Sequence, residues 1–398
     1  TPIYNEFMMK IGNDPVFLQE SLGEVAQTDD FIKRLLDLLD STENLHHLQI
    51  SRNDFLITKD LETSELIPKQ VEFNSISNSF PYLSKQVNKL HQYLEKRLQC
   101  RGKLVINDPL EGVVDTMGEV VQNYGLVNAQ ILMVVQSNEQ NIFDQRGIEY
   151  RLLQKYGIYT IRLTLEEIAE QARIKEGHLF INNTPIALTY FRAAYTPNDY
   201  KNEDAWKGRE IIENSSTVKC PSVGMQLAGA KKIQQILVQP GSIEKFVDPE
   251  QAVQIRRNFV GMFEPDELVN GKTARELAIE SPQNYVLKPQ REGGGNNLYN
   301  EDIATALKRF NENERKAYIL MERINTPIET STLIVESVVE EVQTVSEIGR
   351  YATCFYDGKE ITKNEDVGYL VRTKASDQNE GGVCAGYACL NSLCIDTR

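Results

Sequence analysis

No cluster of lysine and arginine interrupts this chain of 398 residues. Its formal charge of −14, from 43 basic and 57 acidic side chains, is the wrong sign for gripping nucleic acid or anionic lipid through a bulk field. Long apolar runs are also missing. The run Ile131-Leu132-Met133-Val134-Val135 is among the longest and falls far short of the roughly 20 residues a membrane span needs. Neither Met nor a basic-then-apolar leader opens the chain, so the expectation is a processed or partial chain working in the cytoplasm. Cysteine is scarce, and six in this length do not make a disulfide scaffold. Cys384, Cys389 and Cys394 form a five-residue ladder, outside the C-x2-4-C spacing of structural zinc sites, and none of the four histidines lies near them. They read as packing thiols. Repeats and low-complexity tracts are absent. A hydrophobic content of 41% with 25% charged residues is that of a folded soluble protein rather than a disordered one. The length asks for two or three domains, or one domain carrying a large insertion.

Helical spacing of Phe17, Leu18, Leu22 and Val25, and again of Phe31, Leu35, Leu36 and Leu39, predicts helix across residues 1–43. Strands follow around 47–57 and 70–76, then helices over 82–98 and 113–124. Between 127 and 195 the pattern alternates: strand 129–135, helix 142–156, strand 158–163, and strands near 179–182 and 186–191. Helices dominate from 200 to 281. From Asn284 onward, short strands at 285–288, 318–321, 333–339 and 342–347 surround one glycine-rich loop. The fold class is α/β, with a middle block unlike its flanks.

The chemistry concentrates in that loop, Lys288-Pro-Gln-Arg291-Glu292-Gly293-Gly294-Gly295-Asn296-Asn297-Leu-Tyr299, between a predicted strand and a helix beginning near Glu301. Successive glycines let backbone approach a ligand closely and adopt positive φ. Backbone N–H groups freed in such a loop make a concavity suited to phosphate oxygens. Lys288 adds a positive charge, and Glu292 a hard oxygen for a magnesium ion bridging those phosphates. A linker needs no such set of charges and amides, and nucleotide binding explains it better. Gly271-Lys272-Thr273 imitates the end of a Walker A loop, but Asp266 stands where the first glycine should be and no apolar strand precedes it. No complete G-x-G-x-x-G is present, which weakens a dinucleotide site. Upstream, Val71, Phe73 and Ser75 alternate with Glu72, Asn74 and Ile76, so Glu72 and Asn74 share one strand face. A carboxylate beside an amide oxygen is a plausible half-shell for magnesium, which keeps waters and substrate phosphates in its other positions.

The run Lys288–Tyr299 resembles that of eukaryotic glutathione synthetase, an ATP-grasp ligase family. So do Asn141-Ile-Phe-Asp144-Gln145-Arg146, Val367-Gly-Tyr-Leu-Val-Arg372-Thr373-Lys374, Glu72-Phe-Asn74, Gln226-Leu-Ala-Gly229-Ala-Lys231-Lys232 and Gly381-Gly-Val-Cys-Ala-Gly386. The resemblance is collinear over nearly the whole chain. It implies an ATP-grasp fold with an inserted α/β substrate-binding domain and glycine-rich lid loops. Residues 1–126 would be the amino-terminal part of the catalytic region, 127–229 the inserted domain and 230–398 the ATP-grasp region with its lids. Family members usually carry a further segment before the point where this chain begins, which agrees with a partial chain. The implied assembly is a homodimer, part of whose surface such a segment can hold.

The implied reaction joins γ-glutamylcysteine to glycine with ATP, through an acyl phosphate, giving glutathione, ADP and phosphate. Carried over residue by residue, Glu72, Asn74 and Glu292 match magnesium ligands. Lys231, Lys288, the 292–297 stretch of Glu292, Gly293, Gly294, Gly295, Asn296 and Asn297, and Tyr299 match ATP contacts. Met321-Glu322-Arg323-Ile324 would read the adenine edge with hinge backbone, Glu347 would meet the ribose hydroxyls, and Lys374 and Glu380 would close over the nucleotide. For γ-glutamylcysteine the matches are Arg52, Ile76-Ser77-Asn78-Ser79, Glu139-Gln140-Asn141, Gln145 and Arg192-Ala193-Ala194-Tyr195. Val383 and Cys384 would lie beside glycine. Arg372, with Lys288, would serve catalysis, because a guanidinium fork suits the developing acyl-phosphate oxygens.

Read on their own, Arg52 is equally a partner for Asp54, Tyr195 and Tyr299 equally cover core surface, and His46, His47, His91 and His178 are structural. This chain departs from the family at Ala193-Ala194, where a more polar or glycine-containing pair is common, at Gln140, usually basic, and at Glu380, usually Asp. Two alternatives stay open: a homoglutathione synthetase using β-alanine, and a non-catalytic binding protein on the same scaffold. Degenerate relatives would lose acidic metal ligands first, and this chain keeps them.

Overall fold

The computed structural model of the chain describes residues 1–41, 46–60, 63–99, 102–290, 296–335 and 337–395. The amino-terminal helix expected over 1–43 is three helices, Pro2–Gly12, Pro15–Leu22 and Asp30–Asp40. Asp14 accepts from the Phe17 amide, and Asp29 from those of Phe31 and Ile32, so each carboxylate caps a new helix start. Apolar periodicity continues across these breaks, which is why it concealed them.

A 12-stranded sheet organises the molecule. Its main path runs Cys389–Asn391, Ile361–Ala375, Val338–Tyr356, His47–Lys59, Val218–Cys220, Thr184–Phe191, Gln130–Val134 and Thr160–Leu163, so all three sequence blocks contribute strands. The far half is parallel, with Gln130–Val134 between Thr160–Leu163 and Thr184–Phe191. Ile131, Leu132, Met133 and Val134 are all completely buried because helices cover both faces. Ile131 and Met133 share a core with helices Pro109–Asn123 and Ile142–Tyr156, whereas Leu132 and Val134 belong to the separate core that also takes in the amino-terminal helices, as a two-residue period requires.

The near half is antiparallel. His47–Lys59 pairs with Leu66–Asn74 on one side and Val338–Tyr356 on the other, and the latter pairs with Ile361–Ala375. These last strands are 19 and 15 residues long. The sequence pattern anticipated neither length: the strand expected at 333–339 crosses a turn at Ser337, the one at 342–347 is a fragment of the long strand, and none was expected over 361–375. Val338, Val339, Glu340 and Glu341 are exposed on both faces, so the alternation that betrays a half-buried strand is lost at the start of the long strand.

A second sheet of four strands, in the order Met262–Phe263, Tyr318–Glu322, Tyr285–Pro289 and Leu298–Tyr299, is backed by helices Ala274–Glu280 and Glu301–Arg309. The interval expected to be helical before it also holds the strand Val218–Cys220 and a small hairpin, Leu268–Val269 with Lys272–Thr273. Asn270 and Gly271 turn that hairpin at φ of 51° and 87°, the left-handed pair a two-residue turn demands. Thr273 then caps the next helix in a reciprocal box with Glu276. The Walker-like Gly271-Lys272-Thr273 is thus a turn followed by a cap. Among the described residues no helix is long and apolar enough to cross a membrane.

Candidate active site

A cavity of about 700 Å³ opens where the two sheets face each other. The large sheet contributes Arg52, Glu72, Asn74, Glu347, Arg372 and Lys374, and the small sheet Val286, Lys288, Tyr299, Met321 and Glu322. Ile76, Ser77, Asn78 and Ser79, and also Tyr195, Lys231, Asn297, Arg323, Ile324 and Glu380, complete the predicted residues on its wall. Asn296 is exposed, and Glu292 with Gly293, Gly294 and Gly295 lies outside the described residues.

Glu72 and Asn74 share a face as the alternation required, with Asn74 Nδ2 3.3 Å from Glu72 Oε1. Burial alone would raise the Glu72 carboxyl. The combined attraction of Lys231, Lys288, Arg372 and Arg52 wins and pulls it down to about 2. Lys288 is 94% buried, leaves the end of strand Tyr285–Pro289 and donates to the Val71 carbonyl at 3.0 Å. Lys231 opens the helix Lys231–Val238 and is equally sequestered. Among the described residues no group of three or more His, Cys, Asp or Glu converges as a metal shell. The described part of the predicted magnesium shell is therefore the ionised carboxylate of Glu72 and the amide of Asn74, both hard-oxygen residues facing the cavity, and these fit a cation that takes few protein ligands.

Arg52 grips Asp54 through Nε and Nη2, each at 2.7 Å, so the ion pair foreseen for it is present, and the side chain also lines the cavity. Arg372 donates to Asp54 at 3.0 Å and makes a close contact with Glu347. Burial pushes the Glu347 carboxyl up, against the opposing pull of Arg372, and the nearby Asp54 charge adds to the rise. At the other end, the Glu322 and Arg323 amides already donate to the Gly261 and Asn284 carbonyls at 2.9 and 2.8 Å. Neither amide is the one that would meet an adenine edge. Lys374 reaches the Asn379 carbonyl at 2.7 Å, and the Tyr299 hydroxyl is pushed up to about 12 by burial and by Glu380.

The remaining substrate residues form an adjoining group rather than cavity wall. Glu139 accepts from the Asn141 amide at 2.7 Å and from Gln145 at 2.5 Å, while Gln145 is held in turn by Arg162 at 2.6 Å. Arg192, buried, donates to the Asn78 carbonyl at 2.6 Å and to Ser79 Oγ at 2.8 Å, linking this group to the cavity. Asp144 accepts from the Phe80, Tyr82 and Leu83 amides, so a carboxylate on one helix caps the start of another. Ser77, Phe80 and Ala194 all have positive φ, with Ala194 at 73°, where the sequence lacked the family's usual glycine-containing pair. Left-handed non-glycine residues are strained, and here they flank the predicted peptide contacts. Ala193 is buried, Gln140 is exposed and off the cavity wall, Val383 packs with Phe80 and Leu370, and Cys384 is exposed. Arg192 Nε, Asn78 Oδ1 and Asn141 Nδ2 are buried with no hydrogen-bond partner among the described residues. Sequence reasoning placed Asp54 only as a partner for Arg52 and quoted Asp144 only within a family motif, and it gave Arg162 no role.

Two sheets closing on a cleft, with Lys231 and Lys288 beside the carboxylates and arginines of the large sheet, are the arrangement of an ATP-dependent ligase. The family model for the ATP-binding domain of eukaryotic glutathione synthase matches residues 1–395. The chloroplastic glutathione synthetase of Solanum lycopersicum is 38% identical over 98% of this chain and 73% of its own length, and the glutathione synthetase of Homo sapiens is 36% identical over 98% and 84%. The chain belongs to the eukaryotic glutathione synthase family. A glutathione synthetase-like effector of Globodera pallida, solved in its apo form, shares the fold with a TM-score of 0.77 at 18% identity, over 98% of this chain and 84% of that one.

Proposed function

We propose that the chain ligates γ-glutamylcysteine to glycine, consuming ATP and releasing glutathione, ADP and phosphate. A free carboxylate is a poor acyl donor until one oxygen becomes a leaving group. The cysteinyl carboxylate therefore attacks the γ-phosphate, and the glycine amine then displaces phosphate from the acyl phosphate. The observation that carries this reading is the charge set around Glu72: Lys231, Lys288, Arg52 and Arg372 act on one ionised carboxylate at the meeting of the two sheets. Fixed cations in a water-poor cleft stabilise developing phosphoryl and acyl-phosphate charge with little reorganisation.

In this reading Lys231 and Lys288 hold the phosphates and Arg372 meets the acyl-phosphate oxygens. Tyr299, Met321 and Ile324 enclose the base, Glu347 faces the ribose, and Lys374 with Glu380 closes over the nucleotide. Glu72, Asn74 and Glu292 would hold magnesium, whose charge neutralises the phosphates when bound. Arg52, Ser77, Ser79, Glu139, Asn141, Gln145, Arg192 and Tyr195 take γ-glutamylcysteine. The Arg192 guanidinium and the Asn141 and Asn78 amides bring donors and acceptors suited to its zwitterionic end. Glycine sits beside Val383 and Cys384. A homodimer in the cytoplasm is the setting that fits this reading, and sedimentation of the purified chain tests the assembly.

The direct test is ADP release from ATP and magnesium with γ-glutamylcysteine, with and without glycine. Turnover requiring both amino components, with glutathione as product, is expected. ADP release indifferent to γ-glutamylcysteine would refute the assignment.

A further inference from the structure

We propose that Asp54 is a positioning residue for the ligation, the single carboxylate that sets three reactant-facing groups in register. The inference rests on the function proposed above. Asp54 is completely buried, mid-way along strand His47–Lys59. Its Oδ1 accepts from Arg52 Nε at 2.7 Å. Its Oδ2 accepts from Arg52 Nη2 at 2.7 Å, from Arg372 Nη2 at 3.0 Å and from Asn74 Nδ2 at 3.0 Å. Those partners belong to three strands, and each is assigned to a different participant: Arg52 to γ-glutamylcysteine, Arg372 to the acyl phosphate, Asn74 to the metal.

The surroundings are built to accommodate this carboxylate. Gly349 pairs directly with Asp54 across the sheet. A Cβ there would stand 2.6 Å from Asp54 Oδ1 and 2.8 Å from Arg52 Cδ, so glycine is needed for room rather than for its backbone freedom. On the opposite side Asp54 pairs with Glu72, and the ladder is irregular between Asp54 and Phe55. Two guanidinium groups converge on the one anion, and without it Arg52 and Arg372 repel each other. Ligation needs its reactants aligned, and a displacement of about 1 Å can cost on the order of 100-fold.

The test compares the parent with Asp54→Asn and Gly349→Ala in steady-state ligation, with thermal unfolding and circular dichroism alongside. Asp54→Asn keeps the shape but loses the charge. Gly349→Ala keeps every ionisable group but crowds the carboxylate. Both are expected to lower kcat and to raise KM for γ-glutamylcysteine, with catalytic efficiency falling roughly 100-fold, while KM for ATP moves far less. A purely stabilising role would lower Tm and leave the kcat and KM of the folded variants at parental values. That outcome would overturn the proposal, for either variant. If Asp54→Asn does not fold, the kinetics of Gly349→Ala decide. A parent that makes no glutathione overturns the function itself, and is told apart from failure of the inference because it precedes any comparison of variants.

Discussion

Replacing His47 by Phe should flatten the acid side of the stability profile without harming the protein at neutral pH. His47 is completely buried, both ring nitrogens lack a partner among the described residues, and the ring stacks on Tyr356 with centroids 5.3 Å apart. Burial lowers its pKa from 6.5 to about 3, with Lys219, paired to it in register, and His46 adding repulsion. The unfolded chain takes up a proton below about pH 6.5, whereas the folded chain refuses it until about pH 3. Stability is therefore present above pH 6.5 and drains away as pH falls towards 3. The full difference of 3.5 units corresponds to about 5 kcal/mol, and the interval from pH 6.5 to 4.5 accounts for about 2–3 kcal/mol of it. Phe keeps the stacked contact, removes two unpartnered polar atoms and cannot titrate. Urea denaturation of parent and His47→Phe at pH 7 and pH 4.5 cancels the titrations the two share. The variant should lie within about 1 kcal/mol of the parent at pH 7 and exceed it at pH 4.5 by about 2–3 kcal/mol. An identical pH slope in the two proteins would refute the depressed pKa of His47 in the folded chain.

Glu292→Gln and Glu72→Gln should each leave the fold intact and greatly reduce turnover, since several kcal/mol of phosphate neutralisation can reside in a magnesium shell; parental magnesium-dependent rates would remove either residue from the metal site. Hydrogen exchange in the Gly381–Gly386 stretch should slow when an ATP analogue and γ-glutamylcysteine bind, because closure excludes water from the acyl phosphate; unchanged exchange counts against a lid. Glycine should outperform β-alanine by roughly 10–200-fold in catalytic efficiency, the usual value of one methylene in a tight pocket. A higher efficiency with β-alanine would assign the chain to the other acceptor.

Much of this protein was legible in local pattern. Helix Ile142–Tyr156 falls where the 3.6-residue period put it, and strand Gln130–Val134 lies within the apolar run that predicted it. The shared face of Glu72 and Asn74 follows from a two-residue period alone. The glycine-rich string that follows Lys288 and Glu292 pointed to a phosphate loop, since successive glycines free backbone amides for an anion, and those glycines lie outside the described residues. These features depend on neighbours in sequence, and sequence records them directly.

What tertiary structure decided depends on partners far apart in the chain. Arg372 meets Asp54 across 318 positions and Arg192 meets Ser79 across 113, contacts set by strand order and register that no local window contains. The same holds for Gly349, whose missing side chain has meaning only opposite Asp54, and for the 19-residue strand Val338–Tyr356, lengthened by pairing rather than by its own alternation. The charge of Glu72 belongs to this second kind. Residue type makes it an acid, but only the convergence of two lysines and two arginines from separate elements keeps it ionised against burial.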